Sequence, residues 1–342
     1  MLTVGRQHEG IEPAVDRAPL LSGYLLVITA LPHRPLGLSG LHVSLFSLGS
    51  WRTFERISRE QGLAIMRAAR EVDITFLDDA RYDDETGTAP IPTGYSEVVF
   101  GELFRAAGWP RDQVVVANKL WWEFWPDQDA IAELDGSLGR MGLDHVDLIY
   151  TMPPPTGLAI PDLVGQMASL ISSGRARAWG IGNWSAAALD EAVTAARSLG
   201  APLPAAAQLP YSLAHRGWVE DPAMEAVLDD ASAGLVASYV LAGGTLTGKY
   251  GRGETGRSTV DGRTPAEVGG DRQAGALVEL AQEWGVTPTS LAFSFALSHP
   301  RLASVLFGAT SPEQLRQNVA SHEVFQALDL DQLERLRQLS AP

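Results

Sequence analysis

"SLGSWRTF", residues 47–54, stands where the first strand of an α/β chain would turn toward its first helix. An open, doubly wound sheet that holds a dinucleotide usually carries a glycine-rich turn there, so that the backbone can close on a pyrophosphate. Here Gly49 is followed at once by Ser50, Trp51 and Arg52, and no such fingerprint forms. That absence favours a closed barrel over an open sheet.

Working outward, apolar runs of strand length alternate with longer segments of helical period. The runs predict strands over 43–48, 74–78, 114–118, 146–150, 178–181, 205–209, 234–238 and 304–307. The intervening segments predict helices over 61–71, 95–107, 131–142, 161–173, 186–199, 221–231 and 273–285, with an extra helix at 288–297 and a last one from 312 to 320. Alternation of this kind means a parallel sheet, and eight strands close a (β/α)8 TIM barrel. The expected organisation is an N-terminal extension of unknown role, 1–32, followed by a single barrel domain, 33–342. The glycine-rich, charged segment 251–272 reads either as a functional lid or as a surface insertion.

The 342 residues carry a formal net charge of -15, and 45% of them are hydrophobic. A core of good size is affordable, and an acidic chain is a poor partner for nucleic acid. There are no cysteines, which removes disulfides, thiolate metal sites and cysteine nucleophiles, with a reducing cytoplasm as the default location. No His/Asp/Glu spacing suggests a metal. The apolar stretch 20–31 is too short to span a bilayer, and the acids Glu9, Glu12 and Asp16 ahead of it are unlike a secretory leader. No membrane association is expected, and oligomer formation is left open.

Barrel enzymes act at the carboxyl ends of their strands. At those ends stand "SLGSW", "FLDDARY", "VVVANK", "GSLGRMGLDHVDLIY", "RARAWGIGNWS", "AAAQLPYSL", "LAGGTLTGKY" and "VLFGATSPEQLRQNV". In this order and spacing the chain resembles an aldo-keto reductase from about His33 onward. "GSWRTF", "GELFRAAGWPRDQVVVANKLWW" and "RAWGIGNWS" look like the branch that contains the beta subunits of voltage-gated potassium channels.

The resemblance implies an NADPH-dependent reduction of a carbonyl compound. A tyrosine would protonate the oxygen, a lysine would tune the tyrosine, and an aspartate would hold the lysine. Asp78 and Lys119 occupy the last two positions. The tyrosine of the family lies five residues beyond the aspartate, where this chain has Asp83; Tyr82 is one residue early, and Tyr95 is the other candidate. The remaining acids, Asp79, Asp83 and Asp84, read as solvated loop residues. The family's histidine is replaced by Met152, whose thioether cannot donate a hydrogen bond. That departure leaves a C=C or C=N acceptor, or an NADP(H)-binding sensor or partner-binding protein with little turnover, as alternatives.

For the cofactor, the resemblance assigns Asn183 and Gln208 to the nicotinamide carboxamide, with Gly182 in place of the family's serine. Tyr239 is the nearest aromatic for stacking. Leu241, Gly243 and Lys249 would serve the pyrophosphate. Gly308, Thr310, Ser311, Gln314 and Asn318 would meet the adenosine end at a helix start. Trp51, Trp121 and Trp122 are expected to line the substrate pocket.

Overall fold

The computed structural model describes residues 31–252, 254 and 271–340. All but the last two residues of the expected 1–32 extension, and most of the segment 251–272, lie outside the described residues. The chain enters through an antiparallel hairpin of β1 (His33–Pro35) and β2 (His42–Ser44). Eight strands follow: β3 (Phe46–Gly49), β4 (Phe76–Asp78), β5 (Val115–Leu120), β6 (Val146–Thr151), β7 (Ala176–Gly182), β8 (Ala206–Pro210), β9 (Gly234–Ser238) and β10 (Leu302–Phe307). They pair in parallel and close into a barrel, with β10 hydrogen-bonded to both β9 and β3.

The expected first strand, 43–48, is in fact divided. Val43 and Ser44 belong to the hairpin, and the barrel strand begins at Phe46. Ser44 makes the division physical: its hydroxyl donates to the Phe46 carbonyl at 2.7 Å and accepts from the N–H groups of Thr75 and Phe76. The hairpin is thereby fastened across the amino-terminal end of the barrel. Leu36, Leu41 and Val43 project from it into the same apolar cluster as Phe76, Val115, Leu148 and Val236.

The helices are α1 (Arg59–Glu71), α2 (Tyr95–Ala107), α3 (Ala130–Met141), α4 (Ile160–Ser172), α5 (Ala186–Leu199), α6 (Pro222–Ala231), α7 (Asp271–Trp284), α8 (Pro288–Leu297), α9 (Pro312–Ala327) and α10 (Leu330–Arg337). Their ends follow local chemistry. Ser58 and Gln61 form a capping box at the start of α1, Asp129 caps α3, and Gly142 stops α3 in the left-handed region at φ 67°. The helices bury the outer faces of the strands, which explains why each strand is apolar on both sides.

Strand alternation decides what faces the barrel axis. Phe76, Ala117, Tyr150, Ala178 and Ala206 lie in the inner apolar cluster. Continuing the alternation toward the carboxyl ends brings Asp78, Lys119, Met152, Gly182 and Gln208 into the topmost inward layer. The candidate residues thus converge because of a period of two, although they come from five different strands.

Candidate active site

A lysine in this layer needs a counter-charge, since burying an unpaired ammonium is costly. Asp78 supplies it: Lys119 Nζ donates to Asp78 Oδ1, and both side chains are almost fully buried. The second carboxylate oxygen accepts from Gln208 Nε2 at 2.9 Å. Asp78 is therefore held from two sides, and the Oε1 atom of Gln208 keeps its lone pairs for another donor. Lys119 Nζ also lies 3.4 Å from the hydroxyl of Tyr82 and 5.9 Å from the ring centre of Tyr150.

Tyr82 reaches the lysine because its backbone is tied on both sides. The Gly94 N–H donates to the Tyr82 carbonyl at 2.8 Å, and Asp84 N–H to the Pro92 carbonyl at 2.8 Å. Asp83 and Thr93 form an antiparallel bridge between these bonds. Residues 83–93 thus leave and return as a hairpin-like loop rooted beside the tyrosine. Ser96 adds a bond from its hydroxyl to the Ala80 carbonyl at 2.7 Å. Tyr95 is placed elsewhere: its hydroxyl accepts from Arg59 at 3.0 Å, beside Glu102 on the outer helices.

The acids after β4 do not form one solvated cluster. Asp83 and Asp84 lie outside, and Asp84 caps its own turn by accepting from Thr86 and Ala89. Asp79 is a correction to the expectation, for it is wholly buried. Its Oδ1 accepts from the hydroxyl of Ser50, while Oδ2 has no hydrogen-bond partner. Burial, and then the charge of Glu97, raises the Asp79 carboxyl well above its ordinary range, so it favours the neutral acid. Tyr82 is shifted in the same direction, first by the depth of its hydroxyl and then by Asp78 and Asp79.

Residues that composition hides complete this support. Arg81 is buried between loops; it donates to Thr93 Oγ1 at 3.0 Å, pairs with Glu123 at 2.7 Å and lies 4.9 Å over the ring of Phe124. Glu97, fully buried, accepts from Asn118 at 2.8 Å and Arg140 at 2.6 Å. Glu133 accepts the N–H groups of Trp121 and Trp122. An acid in the first turn of the helix that follows a strand was the one available signal for the two glutamates.

The aromatic candidates divide. Trp121 meets Tyr82 edge-on, with ring centres 6.0 Å apart. Trp51 is partly exposed and carries the guanidinium of Arg52 at 5.1 Å. Trp122 turns away from the expected pocket into the core, where its indole N–H donates to Thr151 Oγ1 at 2.9 Å. Met152 is half-buried and lies against Gly182.

On the nucleotide side, Asn183 adopts φ 58°, which turns it out of the strand alternation while its N–H still donates to the Gln208 carbonyl. Its side chain is exposed above the barrel. Tyr239, at φ 56°, packs edge-on against His215, with ring centres 5.2 Å apart. Beyond Leu241, Gly243 and Gly244 turn left-handed, at φ 69° and 92°. A β-carbon on Gly244 would come within 3.1 Å of Lys249 Nζ, so glycine is what lets this ammonium lie over the turn. Such a glycine turn under a cation fits an anion.

At the start of α9, Ser311 caps Gln314 N–H at 3.1 Å, and Gln314 Oε1 accepts from Thr310 N–H at 2.8 Å. Gly308 is exposed beside Thr53, and the buried Nδ2 of Asn318 has no hydrogen-bond partner. Lys249 Nζ and the unpartnered Nδ2 of Asn318 thus leave donors that an anionic, hydrogen-bonding ligand could use. Among the described residues, no cluster of three or more His, Asp or Glu side chains could hold a metal ion, and no helix is long and apolar enough to cross a membrane.

The aldo/keto reductase family profile matches residues 46–341. A probable voltage-gated potassium channel subunit beta of Oryza sativa subsp. japonica is 30% identical over 329 residues, covering 90% of this chain and 95% of that protein. Its counterpart in Arabidopsis thaliana is 29% identical over 332 residues, covering 90% and 96%.

Proposed function

The chain belongs to the aldo/keto reductase family, and on that premise we propose that it is an NADP(H)-dependent oxidoreductase that reduces a small or medium carbonyl compound. The observation that carries the proposal is the position of Lys119 Nζ, between the Asp78 carboxylate and the Tyr82 hydroxyl at 3.4 Å. When bound, NADPH supplies the hydride that adds to the acceptor carbon. Gln208 Oε1 and the amide of Asn183 orient the carboxamide; Gly243 and Lys249 hold the pyrophosphate. Ser311, Gln314 and Asn318 hold the adenosine end, on the same side as Gly308 and Thr310.

Tyr82 gives its phenolic proton to the acceptor oxygen as negative charge gathers there, and the Lys119 ammonium stabilises the phenolate left behind. Burial and then the charge of Asp78 raise the Tyr82 pKa. The hydroxyl stays protonated at neutral pH, and an alkoxide is a strong enough base to take the proton. A titration of protein into NADPH, followed by nicotinamide fluorescence, tests binding; oxidation of the bound nucleotide by added aldehydes and ketones tests turnover. No change in fluorescence at micromolar protein refutes the proposal.

Met152 favours a second reading. Without a second donor beside the acceptor oxygen, turnover of a simple carbonyl falls by about 10²–10³-fold. The relatives named as channel subunits accord with a protein that works beside a partner. Tight nucleotide binding with no oxidation across aldehydes, ketones, imines and enones would select it.

A further inference from the structure

We propose that Met152 and Gly182 act as one specificity-determining unit, in which the glycine leaves a notch, the thioether fills it, and the soft surface so formed prefers a flat aromatic or conjugated acceptor to a saturated one of equal size. The inference rests on the oxidoreductase proposal above. Met152 lies just past the end of β6 and Gly182 ends β7, next to each other after the paired Thr151 and Ile181.

The backbone of Met152 has little freedom. Its N–H donates to the Leu120 carbonyl at 3.0 Å, and its carbonyl accepts from Thr151 Oγ1 at 3.0 Å. Thr151 is fixed in turn by the indoles of Trp122 and Trp184, each at 2.9 Å. Only the side chain can respond to a neighbour. It lies over Gly182 so closely that a β-carbon there would meet Met152 Sδ at 2.7 Å, nearer than real β-carbons approach. Any other residue at 182 drives the half-buried thioether off its seat, toward the open side of the site. A change at 182 is therefore felt first by the thioether, whose flexible end must move to make room.

A seated thioether offers no hydrogen-bond donor but is polarisable, and it makes favourable contact with aromatic rings. A ring that rests on it gains about two- to tenfold in affinity over a saturated ring that does not. Tyr82 supplies the proton to either acceptor, so the unit acts on choice of substrate and leaves proton transfer to the tyrosine.

The test uses the full-length chain as wild type, Gly182→Ala, Met152→Ala and the double variant. Thermal midpoints are measured together with NADPH affinity and kcat/KM for benzaldehyde and cyclohexanecarboxaldehyde. Gly182→Ala is expected to lower the midpoint by a few degrees and to raise KM for benzaldehyde about tenfold, the usual scale of overpacking. Adding Met152→Ala should restore most of both losses. Met152→Ala alone should shrink the preference for benzaldehyde by about two- to tenfold and leave NADPH affinity unchanged.

Strictly additive effects on midpoint and KM would overturn the steric unit. An unchanged preference in Met152→Ala, or no benzaldehyde reduction by the wild type, would overturn the acceptor class. A wild type that binds no NADPH refutes the oxidoreductase proposal instead, and the midpoints of the four proteins still decide whether the two residues are coupled.

Discussion

The two ends of the barrel use the same strands to opposite purpose. At the amino-terminal end, Leu36, Leu41 and Val43 of the hairpin meet Phe76, Val115 and Leu148 in one buried apolar cluster. At the carboxyl end, two to four residues further along the strands, the inward layer holds Asp78, Lys119 and Gln208, with Asp79 and Glu97 buried close by. Several residues there, Trp122, Asn183 and Tyr239 among them, also take left-handed backbone angles that non-glycine residues rarely adopt. One end stores stability, and the other gives some of it up to position charge.

Substitutions can break this contrast. The largest effect is expected from Tyr82→Phe, which should reduce turnover by ~10²–10⁴-fold and leave nucleotide affinity intact; retained turnover would show that the proton comes from another group. Lys119→Met should cost about 3–5 kcal/mol of stability, because it leaves a buried carboxylate with Gln208 as its only partner. Chemical denaturation checks it, and a loss confined to turnover would mean that Asp78 finds solvent. At the other end, Leu41→Ala should cost about 2–5 kcal/mol with kcat unchanged. A fall in kcat would show that the two ends are not separable.

The smallest effect sharpens the contrast within the upper end. In the folded protein Asp79 holds a proton to higher pH than it does in the unfolded chain. The folded state then binds more protons, so stability falls as pH rises above about 4, the unfolded carboxyl value, toward the folded one. Asp79→Asn keeps the shape and can still accept from Ser50. It should remove that slope and raise the thermal midpoint at pH 7 by a few degrees. A midpoint that drops, or a slope that survives, would show that the charged form is the one the fold prefers.

The barrel was legible because its eight strands are buried on both faces and stand out as apolar runs. Asp78 and Lys119 were legible because each ends such a run. The hairpin was not, since three-residue strands leave no periodic signal and Val43 merges with the run that follows it. Charge was a poor guide to Asp79, which read as a solvated loop acid yet is sealed beneath Ser50. The contact of Met152 with Gly182 is a side-chain packing between separate strands, which spacing along the chain does not encode.

The loop after Tyr82 has a consequence for how such a site can vary. Its closure at Asp83 and Thr93, with bonds on either side, makes residues 84–92 a detour that starts and ends at one place. Doubling the length of a closed loop costs only about 0.6 kcal/mol. Segments there can lengthen, shorten or be exchanged while the tyrosine keeps its distance from the lysine. The root works as a port: the rim above the reacting groups can be rewritten from one side without resetting the chemistry below.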